Sequence, residues 1–127
     1  MDTRSREQAA DESCCPKTSL EKTPLLSVVE AAKLEVMFKT LANGTRLQIL
    51  HALLREPRLC VTEIADALGM SCQAISNQLQ RLADRGIVEA RRNGNQIQYR
   101  VIDPCVTGLL EYGWCLAEDS ENCLDED

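Results

Sequence analysis

Seven cysteines stand in this chain of 127 residues, and their placement suits ligands better than bridges. Cys14 and Cys15 are adjacent, and Cys60 and Cys72 each open a stretch with helical spacing. Cys105, Cys115 and Cys123 lie in an acidic last segment. Thiolate sulfur is the donor that soft cations prefer. The number is odd and the opening MDTRSREQAADES has no apolar run that would direct export. Reduced thiols in a cytoplasm are therefore expected, rather than a disulfide framework. There is no CxxC and no Cys/His/acid set, so an enzyme such as a thiol oxidoreductase, or a site for a small organic substrate, is not expected. His51, the only histidine, is read as structural. No run of about 18 apolar residues exists, so no membrane span is expected.

Charge divides these thiols between two surroundings. The net charge is −6, but Ser71 to Ile102 holds five arginines (81, 85, 91, 92 and 100) against Asp84 and Glu89, a local +3. From Asp103 onward there are eight acids and no Lys or Arg. A basic middle beside an acidic end is compatible with affinity for phosphate, and equally with a solubilising tail. The four aromatic residues, Phe38, Tyr99, Tyr112 and Trp114, are too few for a single-strand stacking platform.

The elements that must hold these residues follow from periodicity. Residues 1–24 are polar, contain Pro16 and Pro24, and are expected to form a flexible arm. From Leu25 to Leu41, apolar residues at Leu34, Met37, Phe38 and Leu41 mark an amphipathic helix. Asn43-Gly44 interrupts it, and Thr45 is expected to cap a second helix that runs through Leu54 and ends before Pro57. CVTEIADALG predicts a short helix opened by Cys60 and stopped by Gly69. Ser71 then caps a helix burying Ile75, Leu79 and Leu82 and ending at Gly86.

Two helices joined by a tight glycine-containing turn form a helix-turn-helix. After Gly86 the period falls to two, with IVEARR and QIQYRV joined by Asn93-Gly94-Asn95, a hairpin that makes a wing. A last helix is expected from Asp103 to Ala117, with Val106, Leu109, Leu110, Gly113 and Ala117 on one stripe. Residues 25–117 are thus read as one domain, mainly α with a β-hairpin, and residues 118–127 as an acidic disordered tail.

In this fold the second helix of the unit lies in the major groove of double-stranded DNA. Its candidate contacts are Ser71, Gln73, Ser76, Asn77, Gln78, Gln80 and Arg81, with Arg91, Arg92 and Asn95 on the wing. Gln and Asn bond adenine edges, Arg bonds guanine, and Ser suits phosphate. Each residue taken alone could be no more than a solvated surface position.

The segments FKTLANGTRLQILHAL and LCVTEIADALGMSCQAISNQLQRLADRGIVEARRNGNQIQYRV, with the DPC entry to the last helix, resemble the ArsR/SmtB family of metal-sensing repressors over about residues 30 to 117. The resemblance implies a winged helix-turn-helix homodimer, joined through its first and last helices, that leaves operator DNA when a soft ion binds. Gly44 stands where the family often has Pro, Cys72 where it has Gln, and Gln78 where it has His.

RLCVTEIA resembles a Cys-Val-Cys metal-binding helix start, with Cys60 at the first position and Thr62 at the second. Cys14 and Cys15 resemble arm cysteines that reach this helix in the partner. The resemblance thus implies a site of Cys14, Cys15 and Cys60. Three sulfurs suit arsenite, mercury or lead, whereas zinc or cadmium wants a fourth ligand.

A second candidate site joins Asp103 and Cys105, which resemble an Asp-x-His motif, to Cys115, beside Leu116 at the expected second position. Ten residues of helix hold Cys105 and Cys115 about 15 Å apart, so one chain cannot chelate with both. An antiparallel pairing about Leu110 would set Cys105 against the partner subunit's Cys115, with Cys123 available to close the set. Two alternatives share this fold: a repressor whose thiols sense oxidants, and a protein–protein adaptor that never touches DNA.

Overall fold

The computed structural model describes residues 19–126, with side chains from 19 to 120. A short 3-10 turn, Leu20–Lys22, lies within the stretch expected to be an arm. The winged unit, Pro24–Ile102, begins with helix α1, Val28–Leu41. Ser27 starts it through a reciprocal cap: its hydroxyl accepts from the Glu30 N–H at 3.0 Å, and its own N–H donates to Glu30 Oε1 at 2.8 Å. Of the stripe expected to face the core, only Leu41 is buried; Leu34 and Phe38 are exposed.

Helix α2, Gly44–Arg55, is capped by Asn43 and not by Thr45. Asn43 is in extended backbone and its side-chain oxygen accepts from the Arg46 N–H at 3.0 Å. That places Gly44 and Thr45 inside the first turn, where a cap has no role. A two-residue strand β1, Leu59–Cys60, follows, where periodicity predicts none. It pairs antiparallel with a later strand, Leu59 opposite Tyr99 and Cys60 opposite Gln98.

Cys60 therefore belongs to a sheet and also precedes helix α3, Val61–Leu68. Gly69 ends α3 as expected, at φ 67° and ψ 39°, and the Met70 N–H closes on the Ala65 carbonyl at 3.0 Å. Helix α4, Cys72–Asp84, is capped by Ser71, whose hydroxyl accepts from the Ala74 N–H at 3.1 Å.

The wing is the hairpin of β2, Val88–Asn93, and β3, Gln96–Val101. Asn93 pairs with Gln96, so the loop is the two residues Gly94-Asn95. Gly94 has φ 68° and Asn95 is not at positive φ, the pattern of a type II′ turn. Asn93 is thus the last rung of the ladder rather than a turn residue. The sheet order is β1-β3-β2. The core of this unit is wholly apolar: Ile49, Leu50 and Leu53 of α2, Ile64 of α3, Ile75, Leu79 and Leu82 of α4, and Ile87 and Val88 at the wing root are buried, with α2 packed against α3, α4 and β3, and α4 against β2. No polar or charged side chain is buried among the described residues.

The last helix, α5, spans Pro104–Glu126. It runs past Ala117 and continues through the segment expected to be a disordered tail, whose Glu, Asp, Ser and Asn residues are interrupted by no Gly or Pro. Asp103 Oδ1 accepts from the Cys105 N–H at 2.9 Å, and Val106 is buried. Among the described residues no helix is long and apolar enough to cross a membrane.

Candidate nucleic-acid interface and thiol sites

Helix α4 advances by about 100° per residue, so Gln73, Ser76, Asn77, Gln80 and Asp84 share one face. All five are exposed, opposite the buried Ile75, Leu79 and Leu82. Gln73 Nε2 donates to Asn77 Oδ1 at 3.0 Å, and Gln80 Nε2 donates to Asp84 Oδ1 at 2.9 Å. These bonds orient the amides along the face while leaving other donors and acceptors open to solvent.

Gln78 does not join that face. It is half-buried, and its Oε1 accepts from Arg46 Nη1 at 2.8 Å, while Arg46 Nε donates to the Thr40 carbonyl at 2.6 Å. Arg46 therefore ties the C-terminus of α1 to the flank of α4. Sequence reasoning misses it because its partner lies 32 positions away, beyond any local period.

On the wing, Arg91, Arg92 and Asn95 are exposed. Glu89, which carries no signal in the sequence, organises two of the arginines: Arg100 Nε lies 2.6 Å and Arg91 Nε 3.2 Å from its Oε2. The hydrogen bond from Arg100, reinforced by the fields of Arg100 and Arg91, holds the Glu89 carboxyl below the ordinary range despite some desolvation. Glu89 stays ionised and fixes the wing arginines, with Arg92 left at the tip.

The described thiols, Cys60, Cys72, Cys105 and Cys115, do not form a ready-made cluster. Among the described residues no three His, Cys, Asp or Glu side chains converge as a metal site. Cys60 is half-buried, and its N–H donates to Glu63 Oε1 at 2.9 Å. Cys72, Cys105 and Cys115 are exposed. Cys14 and Cys15, and the side chain of Cys123, lie outside the described residues. Cys105 and Cys115 sit ten positions apart on one continuous helix, and one Asp103 oxygen is already engaged by the Cys105 N–H. His51 is exposed on α2 and is no part of the core.

A helix-turn-helix with an exposed polar reading face, followed by a cationic β-hairpin, defines a winged-helix DNA-binding regulator. A model of the bacterial regulatory proteins of the arsR family matches residues 43–90. The chain belongs to this family, whose members regulate transcription and are not enzymes.

The chain is 55% identical to the crystal structure of the AntR antimony-specific transcriptional repressor, with a TM-score of 0.72 over 86% of this chain and 98% of that one. It is 40% identical over 88 residues to the "Probable mercury resistance operon repressor" of Streptomyces lividans, covering 69% of this chain and 70% of that protein. To the cadmium resistance regulatory protein CadC of Listeria innocua it is 34% identical over 76 residues, 60% of this chain and 64% of that protein.

Proposed function

We propose that the protein is a cytoplasmic, homodimeric repressor that releases operator DNA when a soft metal or metalloid ion is captured by thiolates of Cys14, Cys15 and Cys60. The observation that carries this reading is the position of Cys60. It pairs with Gln98 on wing strand β3 and stands immediately before α3, the helix packed on α4. A shift of this one residue bears on both devices that meet the duplex. No other cysteine of the winged unit has that leverage, because Cys72 is exposed and lies outside the sheet.

The donor chemistry fits a soft ion. One half-buried thiol is set in the fold, and the arm supplies the remaining sulfurs in this reading. Three thiolates favour a trivalent metalloid, mercury or lead over zinc or cadmium. Antimony and mercury, named for two of the similar proteins, agree with that preference, whereas cadmium, named for a third, is soft but wants a fourth donor. Energetically the device is linkage: an ion that binds the DNA-incompetent form better weakens DNA binding by the same factor, about 150-fold for about 3 kcal/mol.

The test is a gel shift on the fully reduced protein with its own promoter, titrated with antimonite, arsenite, mercury and cadmium. The wild type should leave DNA, while Cys60→Ser should bind DNA and stay bound. Release of Cys60→Ser at the wild-type concentration would exclude the site. Release abolished only in Cys105→Ser or Cys115→Ser would transfer the function to α5.

A further inference from the structure

Beside the reading face, the winged unit holds an open cleft of about 410 Å³ lined by Lys39, Thr40, Arg46, Arg81, Asp84 and Arg85. Four cations face one carboxylate there, in a chain whose net charge is −6. Such a concentration of like charge raises the local positive potential and favours an anion there. Asp84 is already engaged by Gln80 Nε2 at 2.9 Å, and among the described residues neither Arg81 nor Arg85 makes an ion pair. Among the described residues Lys39 pairs with Glu35 alone, at 3.1 Å on the open surface, an interaction that is readily exchanged. Arg46 is fixed at the cleft wall by the Thr40 carbonyl and Gln78, which leaves further guanidinium N–H groups available.

Resting on the DNA-binding reading above, we infer that this cleft seats a backbone phosphate of the bound duplex, so that Arg81 and Arg85 grip the sugar-phosphate ridge and do not read a base. The helical wheel supports the assignment. With the reading face centred on Gln73, Gln80 and Asp84, Arg81 and Arg85 stand roughly a quarter-turn round the helix. A helix laid in the major groove is flanked by the two phosphate ridges, and a side chain on its flank meets a ridge rather than the groove floor. Gln78 is on the same flank and is bonded to Arg46, so the cleft wall and the reading helix are one assembly. The phosphate seated there thereby sets how deeply α4 enters the groove.

The test is fluorescence anisotropy of the full-length dimer on a labelled mixed-sequence duplex over a sodium chloride series. Arg85→Gln and Lys39→Gln are compared with Arg55→Gln, which removes the same charge from the exposed end of α2, outside the cleft. Each cleft variant should flatten the slope of log affinity against log salt by about 0.9 for every phosphate it no longer neutralises, hence by about 2 for a dimer. Arg55→Gln should retain the wild-type slope.

An unchanged slope in both cleft variants would overturn the assignment while leaving DNA binding intact. An equal flattening in Arg55→Gln would reduce the effect to net charge, and overturns it too. A wild type that binds no duplex would remove the DNA-binding reading and this one together. A second arm replaces chloride with inorganic phosphate at equal ionic strength. If wild type and Arg85→Gln still differ, the cleft is reserved for the duplex; if the difference vanishes, it is a free-anion site and the proposal fails.

Discussion

Two guanidinium clusters decide what the surface of the winged unit can do. Arg46 serves a structural end, bonding the Thr40 carbonyl at 2.6 Å and the Gln78 amide at 2.8 Å. Replacing it with Leu strands a helix-terminal carbonyl and a half-buried amide, each worth on the order of 1 kcal/mol or more. Arg46→Leu should therefore lower the melting temperature by roughly 5–10 °C. Arg46→Lys should recover only part of this, since an ammonium cannot span both acceptors in the same geometry. Glu89 serves another end, holding Arg91 and Arg100 in ion pairs on the wing surface. Its carboxyl is held below the ordinary range chiefly by the Arg100 hydrogen bond. The stabilisation it gives the wing is therefore present at and above the ordinary carboxylate range, and is lost as pH falls through its lowered pKa. Glu89→Gln should abolish that acid-side loss and, by freeing Arg91 and Arg100, tighten binding to any duplex and steepen its salt dependence. A pH series of wing amide shifts and a salt series by anisotropy check the two halves of this expectation.

Among the elements, the turn between α3 and α4 is the most tightly specified. Gly69 sits at φ 67° with nothing within 4 Å of where a Cβ would stand, so Gly69→Ala costs backbone strain alone, about 1–2 kcal/mol. A melt should show that destabilisation with the duplex affinity per folded molecule little changed; a variant as stable as wild type would contradict the left-handed turn. Elements of this kind are legible in the sequence because their signals are local. Ser71 before an apolar period, Gly69 and Gly86 at the ends, and the change of period at the wing each occupy a few neighbouring residues. Strand β1 is not legible, since two residues cannot display alternation and it exists only because Tyr99 and Gln98 come to lie beside it. The cap of α2 lies two positions before the expected Thr45, because the Asn43 side chain that favours a helix break also accepts the Arg46 N–H. Gln78 looks like a reading-face residue until its distant partner Arg46 is known. Cys60 stands out by its family motif, but its tie to the wing emerges only from the strand register.

For the whole molecule the telling feature is apolar surface that the described residues leave exposed. On α1, Val28 is 86% and Val29 70% exposed, and on α5 Trp114 and Leu116 are 65% and 69% exposed. Scattered singly such residues are ordinary, but both helices repeat them, and repeated exposed apolar side chains are what an association surface requires. Full burial of an aliphatic or aromatic side chain is worth about 1.5–3 kcal/mol, so a few such side chains on each helix suffice to hold a dimer. Introducing a charge there must be costly: Val29→Glu should raise the dimer dissociation constant on the order of 100-fold, about 3 kcal/mol. Val29 is not in the core of the winged unit, so the monomer should keep its secondary structure. Sedimentation at falling concentration reads the dissociation, and the same samples on a labelled duplex read its consequence. Because each subunit neutralises its own phosphates, a monomer should show roughly half the wild-type salt slope. It should also fail to release DNA with soft ions if the arm cysteines of one subunit serve Cys60 of the other. A Val29→Glu protein that sediments as a dimer would show that α1 is not part of the association surface. One that is monomeric yet still releases DNA on antimonite would confine the thiolate set to a single chain.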